Sequence, residues 1–153
     1  MTKPIIETQK LAVLDTYIQH GTTTTLEHSM AVAYYSLVLV CTLRIRCDYE
    51  SLIRGALLHD YFLYDWHCKD DSHRLHGFTH HRAALNNANR DFKLNDIERD
   101  IIGKHMFPLV PRLPRYIESV VVCLVDKYCT LREVFASSPY TNIPVSINVV
   151  GKV

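Results

Sequence analysis

The chain carries little net charge and has no long basic run. Its formal net charge is +1 over 153 residues, so the positive surface expected of a nucleic-acid-binding protein is missing and no nucleic acid polymer is expected as a partner. Apolar residues make up 48% and charged residues 22% of the sequence, which is ordinary for a globular protein. We predict one domain over residues 1–153, with a core at about 24–135 and an irregular tail at 137–153.

The five cysteines form no Cys-x-x-Cys pair and are odd in number. Residues 1–8 lack the apolar core of a signal peptide, and the longest apolar stretch, at 30–43, is too short to span a bilayer. These absences predict reduced thiols, a cytoplasmic location and no membrane association. Cys41 and Cys123 lie within apolar helical runs, which predicts that both are small core residues.

Apolar residues recur at helical spacing along most of the chain, without the alternation of βαβ units. Three segments, beginning at Thr24, Asn95 and Thr130, have the spacing of a capping box at a helix start. We predict an all-α fold, an HD-domain-like bundle of six to seven helices at about 9–19, 26–46, 49–59, 80–92, 96–105, 115–128 and from 130 onward. The helix at 115–128 is apolar nearly all round, which predicts a central position.

Histidine is the unusual residue, with nine in all, and one of them is followed directly by aspartate. His59 and Asp60 end an apolar helical run, so one backbone segment delivers an imidazole and a carboxylate, both metal-binding groups. Four further positions carry polar residues into apolar helical contexts: His28, His80 or His81, His105 and Asp126.

Each of these residues also has a structural explanation. A lone histidine on an apolar face is more often a hydrogen-bonded core residue than a ligand. Asp126 is harder to explain, because an ionised carboxylate buried without a cation costs several kcal/mol. Lys127 is its neighbour in sequence, but successive side chains on a helix point about 100° apart. The six residues, taken together in this order, therefore predict a metal site.

The order His…His-Asp…Asp resembles that of the HD superfamily of metal-dependent phosphohydrolases, in particular its small stand-alone bacterial members. The segments that carry the resemblance are 27–33, 56–60, 79–84, 102–105 and 124–127. It implies a first metal ion held by His28, His59, Asp60 and Asp126, and a second held by His80 and His105 with Asp60 bridging. The ions would be divalent, with iron, manganese, zinc, nickel and magnesium all open.

The second-site histidine is assigned to His80 rather than His81. His80 stands four residues before Ala84, which matches the family's spacing to a small residue. His81 is expected to face outward at the start of its helix.

The resemblance implies a phosphohydrolase that acts on a small phosphate ester or nucleotide through a metal-activated water, with Asp60 as the catalytic carboxylate. Candidate substrate-binding groups are Arg82, Lys104 and Lys127 beside the proposed ligands, Arg112 and Arg115 in a proline-rich connection, and His73 and His76 in the connection at 61–79. Alternatively, the lysines and arginines lie on a solvated face, and the two histidines belong to a mobile loop.

Two departures from the family pattern limit what the resemblance implies about the general acid and the substrate. Residues 61–65 stand where many members have a glycine and a lysine, so no general acid is assigned there. Met106-Phe107-Pro108 replaces the Gly-Tyr-Pro signature of the cyclic-dinucleotide phosphodiesterases, which argues against a cyclic dinucleotide substrate. The alternatives are an HD-type di-iron oxygenase and a non-catalytic metal- or nucleotide-binding module. The oligomeric state stays open.

Overall fold

A computed structural model describes residues 8–65, 76–136 and 140. It is mostly helical, which confirms the all-α fold class. The helices are α1 (Thr8–Ala12), α2 (Thr25–Thr42), α3 (Tyr49–Leu58), α4 (His76–Asp91), α5 (Asp96–Lys104) and α6 (Ile117–Phe135), with a 3₁₀ helix at Val13–Thr16 and an antiparallel hairpin of β1 (Ile18–His20) and β2 (Thr23–Thr24).

Local capping interactions set the starts of three helices. Thr24 and Asn95 each form the predicted capping box, in which the side chain accepts a hydrogen bond from the backbone N–H three residues on and a glutamate returns one to the cap. Asp48 caps α3 by accepting a hydrogen bond from the Ser51 N–H at 3.0 Å. These contacts fix where the helices that carry the site begin.

The predicted helix at 9–19 is wrong in its second half. The helical turns stop at Thr16, and the chain enters the hairpin, whose turn is made by Gly21 at φ 59°. Glycine adopts this left-handed conformation without a steric penalty. The hairpin brings Gln19 into the interior, where it is 5% exposed.

The buried apolar residues form two clusters. One lies among α2, α3, α5 and α6 and includes Val32, Leu52, Ile101 and Val122. The other lies between α1, α4 and the chain after α3, and includes Leu58 and Phe62. Residues of α3 and α5 contribute to both clusters, and both helices end at the candidate site.

Helix α6 differs from its prediction in two ways. It runs without a break from Ile117 to Phe135, so the predicted helix start at Thr130 is wrong. Glu133, the other half of that predicted capping box, turns inward and binds a buried histidine instead. The predicted central position is also only half right, because one face of α6 is buried and the opposite face is exposed.

Four of the five cysteines lie in the described part of the chain, and all four are free thiols. Cys123 is buried as predicted, whereas Cys41 is exposed because it lies on the outer face of α2 near its end. Among the described residues, no helix combines the length and apolar composition needed to cross a membrane.

Candidate metal centre

Six side chains that the sequence singled out converge on one buried cluster. Five helices deliver them, because His28 comes from α2, His59 and Asp60 from the end of α3, His80 from α4, His105 from the end of α5 and Asp126 from α6. Their possible ligand atoms form three overlapping groups, each spanning no more than 4.8 Å: His28, His59 and Asp60; His59, His105 and Asp126; Asp60, His80 and His105.

Asp60 lies at the centre of the cluster. Its Oδ2 is 3.7 Å from His28 Nε2 and 3.4 Å from His59 Nε2. Its Oδ1 is 3.2 Å from His80 Nε2 and 3.4 Å from His105 Nε2. Each carboxylate oxygen thus faces a different pair of imidazoles.

His59 and His105 are oriented by the ends of their helices. Each is the residue directly after its helix, and each donates a hydrogen bond from Nδ1 to the carbonyl three residues earlier, at 2.7 Å to Ala56 and 2.9 Å to Ile102. In a neutral imidazole a proton on Nδ1 leaves a lone pair on Nε2. Both Nε2 atoms therefore enter the cluster as donors of an electron pair, as metal ligation requires.

His28 is held by a carboxylate that the sequence reasoning missed. His28 Nδ1 lies 2.8 Å from Glu133 Oε1, and its Nε2 lies 3.1 Å from Asp126 Oδ1. Glu133 is itself buried and accepts a hydrogen bond from the Tyr140 hydroxyl at 2.5 Å. A histidine that bonds a carboxylate through one nitrogen and faces the cluster through the other is the usual arrangement around a bound metal.

Gln19 is the second residue that the sequence reasoning missed. Its amide nitrogen donates to Asp60 Oδ2 at 2.6 Å, and its oxygen accepts a hydrogen bond from Thr25 Oγ1 at 3.2 Å. Gln19 therefore fixes the rotation of the central carboxylate. Residue spacing does not indicate Gln19 as part of the site. The hairpin that brings Gln19 into the interior was not predicted either.

The cluster contains buried polar atoms that protein groups leave unsatisfied. His59 Nε2 and Asp60 Oδ1 have no hydrogen-bond partner among the described residues, and a buried acceptor without a donor costs about 1–3 kcal/mol. His80 Nε2 and His105 Nε2 also face each other at 3.0 Å. A divalent cation would accept all of these lone pairs, so the residues present fit a metal site built from imidazole and carboxylate.

The electrostatics of the cluster favour ionised carboxylates beside a cation. Burial acts to raise the pKa of Asp60 and Asp126, but the charges of the surrounding histidines, and at Asp126 also the hydrogen bond with His28, outweigh it and hold both pKa values below the ordinary range. Burial acts to lower the pKa of His28, but its hydrogen bonds to Asp126 and Glu133 raise it to about 10. In the absence of an ion, a proton on His28 therefore supplies positive charge to the cluster.

His81 does not face outward as expected. It is 3% exposed, and burial followed by the nearby His105 lowers its pKa to about 4. Helix α4 begins at His76, one turn earlier than predicted, and within it the His81 ring lies 6.5 Å from the ring of His80. None of the three candidate ligand groups includes it, whereas His80 belongs to one.

The predicted substrate-binding residues differ in their surroundings. Lys127 Nζ donates hydrogen bonds to the carbonyls of His105 at 2.9 Å and Cys123 at 3.2 Å, which favours a structural role. Arg82 is exposed. His73 lies outside the described residues, and His76 is the first residue of α4, its side chain also outside the described part.

Lys104 joins other cations around an open hollow beside α5. The hollow has a volume of about 430 Å³, and its basic residues are Arg99, Lys104, Arg112 and Arg115. Lys104 pairs with Asp100, and Arg99 pairs with Asp96 at 3.2 Å. The hollow therefore gathers three of the five predicted lysine and arginine candidates and one arginine that was not predicted.

Comparisons of the chain with protein-family models, curated proteins and solved structures find no match. The structure by itself shows a mostly helical protein with a buried histidine and aspartate cluster that could hold a metal ion.

Proposed function

We propose that this chain is an HD-type metal-dependent phosphohydrolase that acts on a small phosphate ester or nucleotide. The observation that carries the proposal is the ligand cluster itself. Its members occur in the sequence order His28, His59-Asp60, His80, His105 and Asp126, the order of the HD resemblance, and their ligand atoms lie close together in a buried site.

We assign the cluster's residues to two sets that share Asp60. His28, His59 and Asp126 would hold one ion and His80 and His105 the other, with Asp60 shared between them. When bound, two divalent ions would supply Lewis acidity and lower the pKa of a water molecule toward neutrality. Gln19 and Glu133 hold Asp60 and His28 in the required orientation through the hydrogen bonds described above.

The basic hollow supports an anionic substrate. Its four cations outnumber its two carboxylates, Asp96 and Asp100, and within the described residues Arg112 and Arg115 make no ion pair with a carboxylate. Lys104, which lines the hollow, immediately precedes the candidate ligand His105 in the chain. A guanidinium binds phosphate with two parallel hydrogen bonds, which suits this class of substrate.

Elemental analysis and a phosphate-release assay test the proposal together. On protein purified without chelator or nickel affinity resin, we expect about two divalent ions per chain, since two carboxylates and four imidazoles supply two sites. We expect phosphate release from at least one member of a panel of nucleotides and sugar phosphates. His80→Ala should lose one ion and the activity, and His81→Ala, as the matched control, should retain both ions.

Several results would contradict the proposal. Phosphate release that persists in His80→Ala after loss of its ion would place the reaction elsewhere. Bound iron with oxygen consumption and no phosphate release would instead support the di-iron oxygenase, because the same ligand set suits iron. Two tightly bound ions with neither activity would support a non-catalytic module.

A further inference from the structure

Helix α6 has an outer face with no exposed polar side chain other than a tyrosine hydroxyl. Among its nineteen residues, all of them described, seven are exposed and every one is apolar or aromatic. We call these residues the α6 outer face: Ile117, Val120, Leu124, Tyr128, Leu131, Val134 and Phe135. A surface helix of a soluble monomer normally has charged residues on its outward side, so the outer face of α6 has the composition of a buried surface.

The spacing of these residues makes one continuous stripe. Steps of three and four residues lead from Ile117 to Phe135, so the side chains lie above one another along five turns of the helix. The stripe continues sideways onto α2. The rings of Tyr128 and Tyr35 lie 5.6 Å apart, Tyr35 contacts Tyr34 at 5.3 Å, and Tyr34 and Val38 are exposed on α2.

Arg132, the cation beside the stripe, lies against three tyrosine rings. Its guanidinium donates hydrogen bonds to the hydroxyls of Tyr35 at 2.8 Å and Tyr128 at 3.3 Å, and it lies 5.7–5.8 Å from the ring centres of Tyr35, Tyr128 and Tyr140. Tyrosine and arginine are the residues most enriched among those that dominate protein–protein binding. The contact of Arg132 with these tyrosines therefore places residue types that often dominate protein–protein interfaces at the edge of the stripe.

We propose that the α6 outer face is the contact surface of a homodimer, with a second copy of this chain as its occupant. With exposures between 39 and 83%, the seven side chains present on the order of 700 Å² of mostly apolar surface, against about 800 Å² per partner in a standard interface. Monomeric soluble proteins rarely leave a contiguous apolar patch this large uncovered.

The charge and symmetry of the face favour a second copy over a different protein. The seven exposed side chains of the face carry no charge, so two identical faces meet without charge repulsion along the stripe. Closed dimers join the same patch on both subunits, so the patch must be complementary to itself. A regular apolar stripe on a straight helix satisfies this condition when two copies of α6 pack across a two-fold axis.

The mass of the full chain in solution tests the proposal. By light scattering over a concentration series, we expect twice the chain mass of 17.7 kDa. Leu131→Glu and Leu124→Glu should each raise the dimer dissociation constant by more than about tenfold, because a charge would enter the centre of an apolar contact. Leu113→Glu is the matched control, since Leu113 is 71% exposed but lies outside α6, and it should leave the dimer intact.

Circular dichroism and metal content should be unchanged in all three variants, which separates loss of the dimer from loss of the fold. A wild-type chain that is monomeric at every concentration would overturn the proposal, and so would a dimer that Leu131→Glu and Leu124→Glu leave intact. A monomer whose melting temperature falls in Leu131→Glu but not in Leu113→Glu would also overturn it, and would show that a segment of the same chain covers the face.

Discussion

At the scale of single residues, Glu133 has the clearest role outside the six candidate ligands. It is buried, it bonds His28 Nδ1 at 2.8 Å, and its other oxygen has no hydrogen-bond partner among the described residues. A carboxylate in this position fixes the ring orientation of the histidine and increases its basicity. Glu133 thus belongs to the site although none of the three candidate ligand groups includes it.

Glu133→Gln should weaken metal binding by about 10- to 100-fold, the usual effect of removing a hydrogen-bonded partner of a ligand. The amide keeps the shape of the side chain but loses the charge that favours a proton on His28 Nδ1. Competition with a chromophoric chelator measures the affinity.

Glu27→Gln is the matched control for this prediction. Glu27 is exposed and adjacent to His28, and glutamine also completes a capping box, so the affinity should not change. Equal affinities for Glu133→Gln and the wild type would show that His28 is oriented by other contacts.

The sequence could predict the six converging residues but not the residues that orient them. His28, His59 and Asp126 are conspicuous because each is a polar residue in an apolar helical stretch. Glu133 and Gln19 do not stand out in the sequence in this way. Glu133 has the spacing of a capping residue after Thr130, and only the packing of α6 against α2 shows that a buried histidine binds it instead. Partners of this kind are defined by tertiary contacts across the chain.

At the scale of elements, the close approach of α3 and α5 brings His59 next to His105. Gly55 makes that approach possible, because a Cβ at this position would lie 3.1 Å from both Cβ and Cγ2 of Ile101 and closer still to Cδ1. The two helices end one turn beyond this contact, where their terminal imidazoles lie 4.9 Å apart between ring centres. The helix spacing and the ligand spacing are therefore set by the same contact.

Gly55→Ala should destabilise the protein by about 1–3 kcal/mol, the usual cost of forcing an extra methyl group into a packed core. It should also reduce metal affinity, because α3 must move away from α5. Urea unfolding and chelator competition measure the two effects.

Gly103→Ala on α5 provides the matched control. A Cβ there would meet Leu85 at 3.5 Å, an ordinary contact, and replacing a helical glycine with alanine stabilises by about 0.5–1 kcal/mol. A Gly55→Ala variant as stable as Gly103→Ala would contradict the tight approach.

Capping boxes show why elements were predicted better in some places than in others. The boxes at Thr24 and Asn95 are confirmed, and Glu98 closes its box through Oε2 while its Oε1 accepts a hydrogen bond from Arg54 at 2.7 Å. The same pattern at Thr130 fails, because α6 has buried residues on both sides of it and His28 takes Glu133. The hairpin at residues 18–24 was missed because strands of two or three residues are too short to show an alternating pattern.

At the scale of the whole molecule, the charges of the cluster predict how stability depends on pH. The pKa of His28 is raised from 6.5 to about 10, so in metal-free protein its contribution is fully present below pH 6.5 and is lost as pH rises toward 10. The pKa of His81 is lowered to about 4, so its contribution is lost as pH falls from 6.5 toward 4. The lowered pKa values of Asp60 and Asp126 add a loss below about pH 4.

The melting temperature of chelator-treated protein should therefore be highest near pH 6.5 and fall on both sides. On the alkaline side, release of the His28 proton contributes up to about 1.4 kcal/mol per pH unit, and the raised pKa of His59 adds to the fall. Adding a divalent ion should remove the alkaline fall, since deprotonated His28 then binds the ion. Scanning calorimetry from pH 4 to 9 measures both curves, and a flat alkaline limb without metal would contradict the prediction.

The wide separation of the cluster's members along the chain has a consequence for how much protein a cell retains. His28 and Asp126 are 98 positions apart, so an unfolded chain offers no local segment that gathers the set. An ion that binds only the native state stabilises it by about RT ln(1 + [ion]/Kd), or roughly 2.7 kcal/mol when the ion is at a hundred times Kd. Shortage of the ion would then raise the unfolded fraction on which proteases act, and the supply of metal would govern the abundance of this protein as well as its activity.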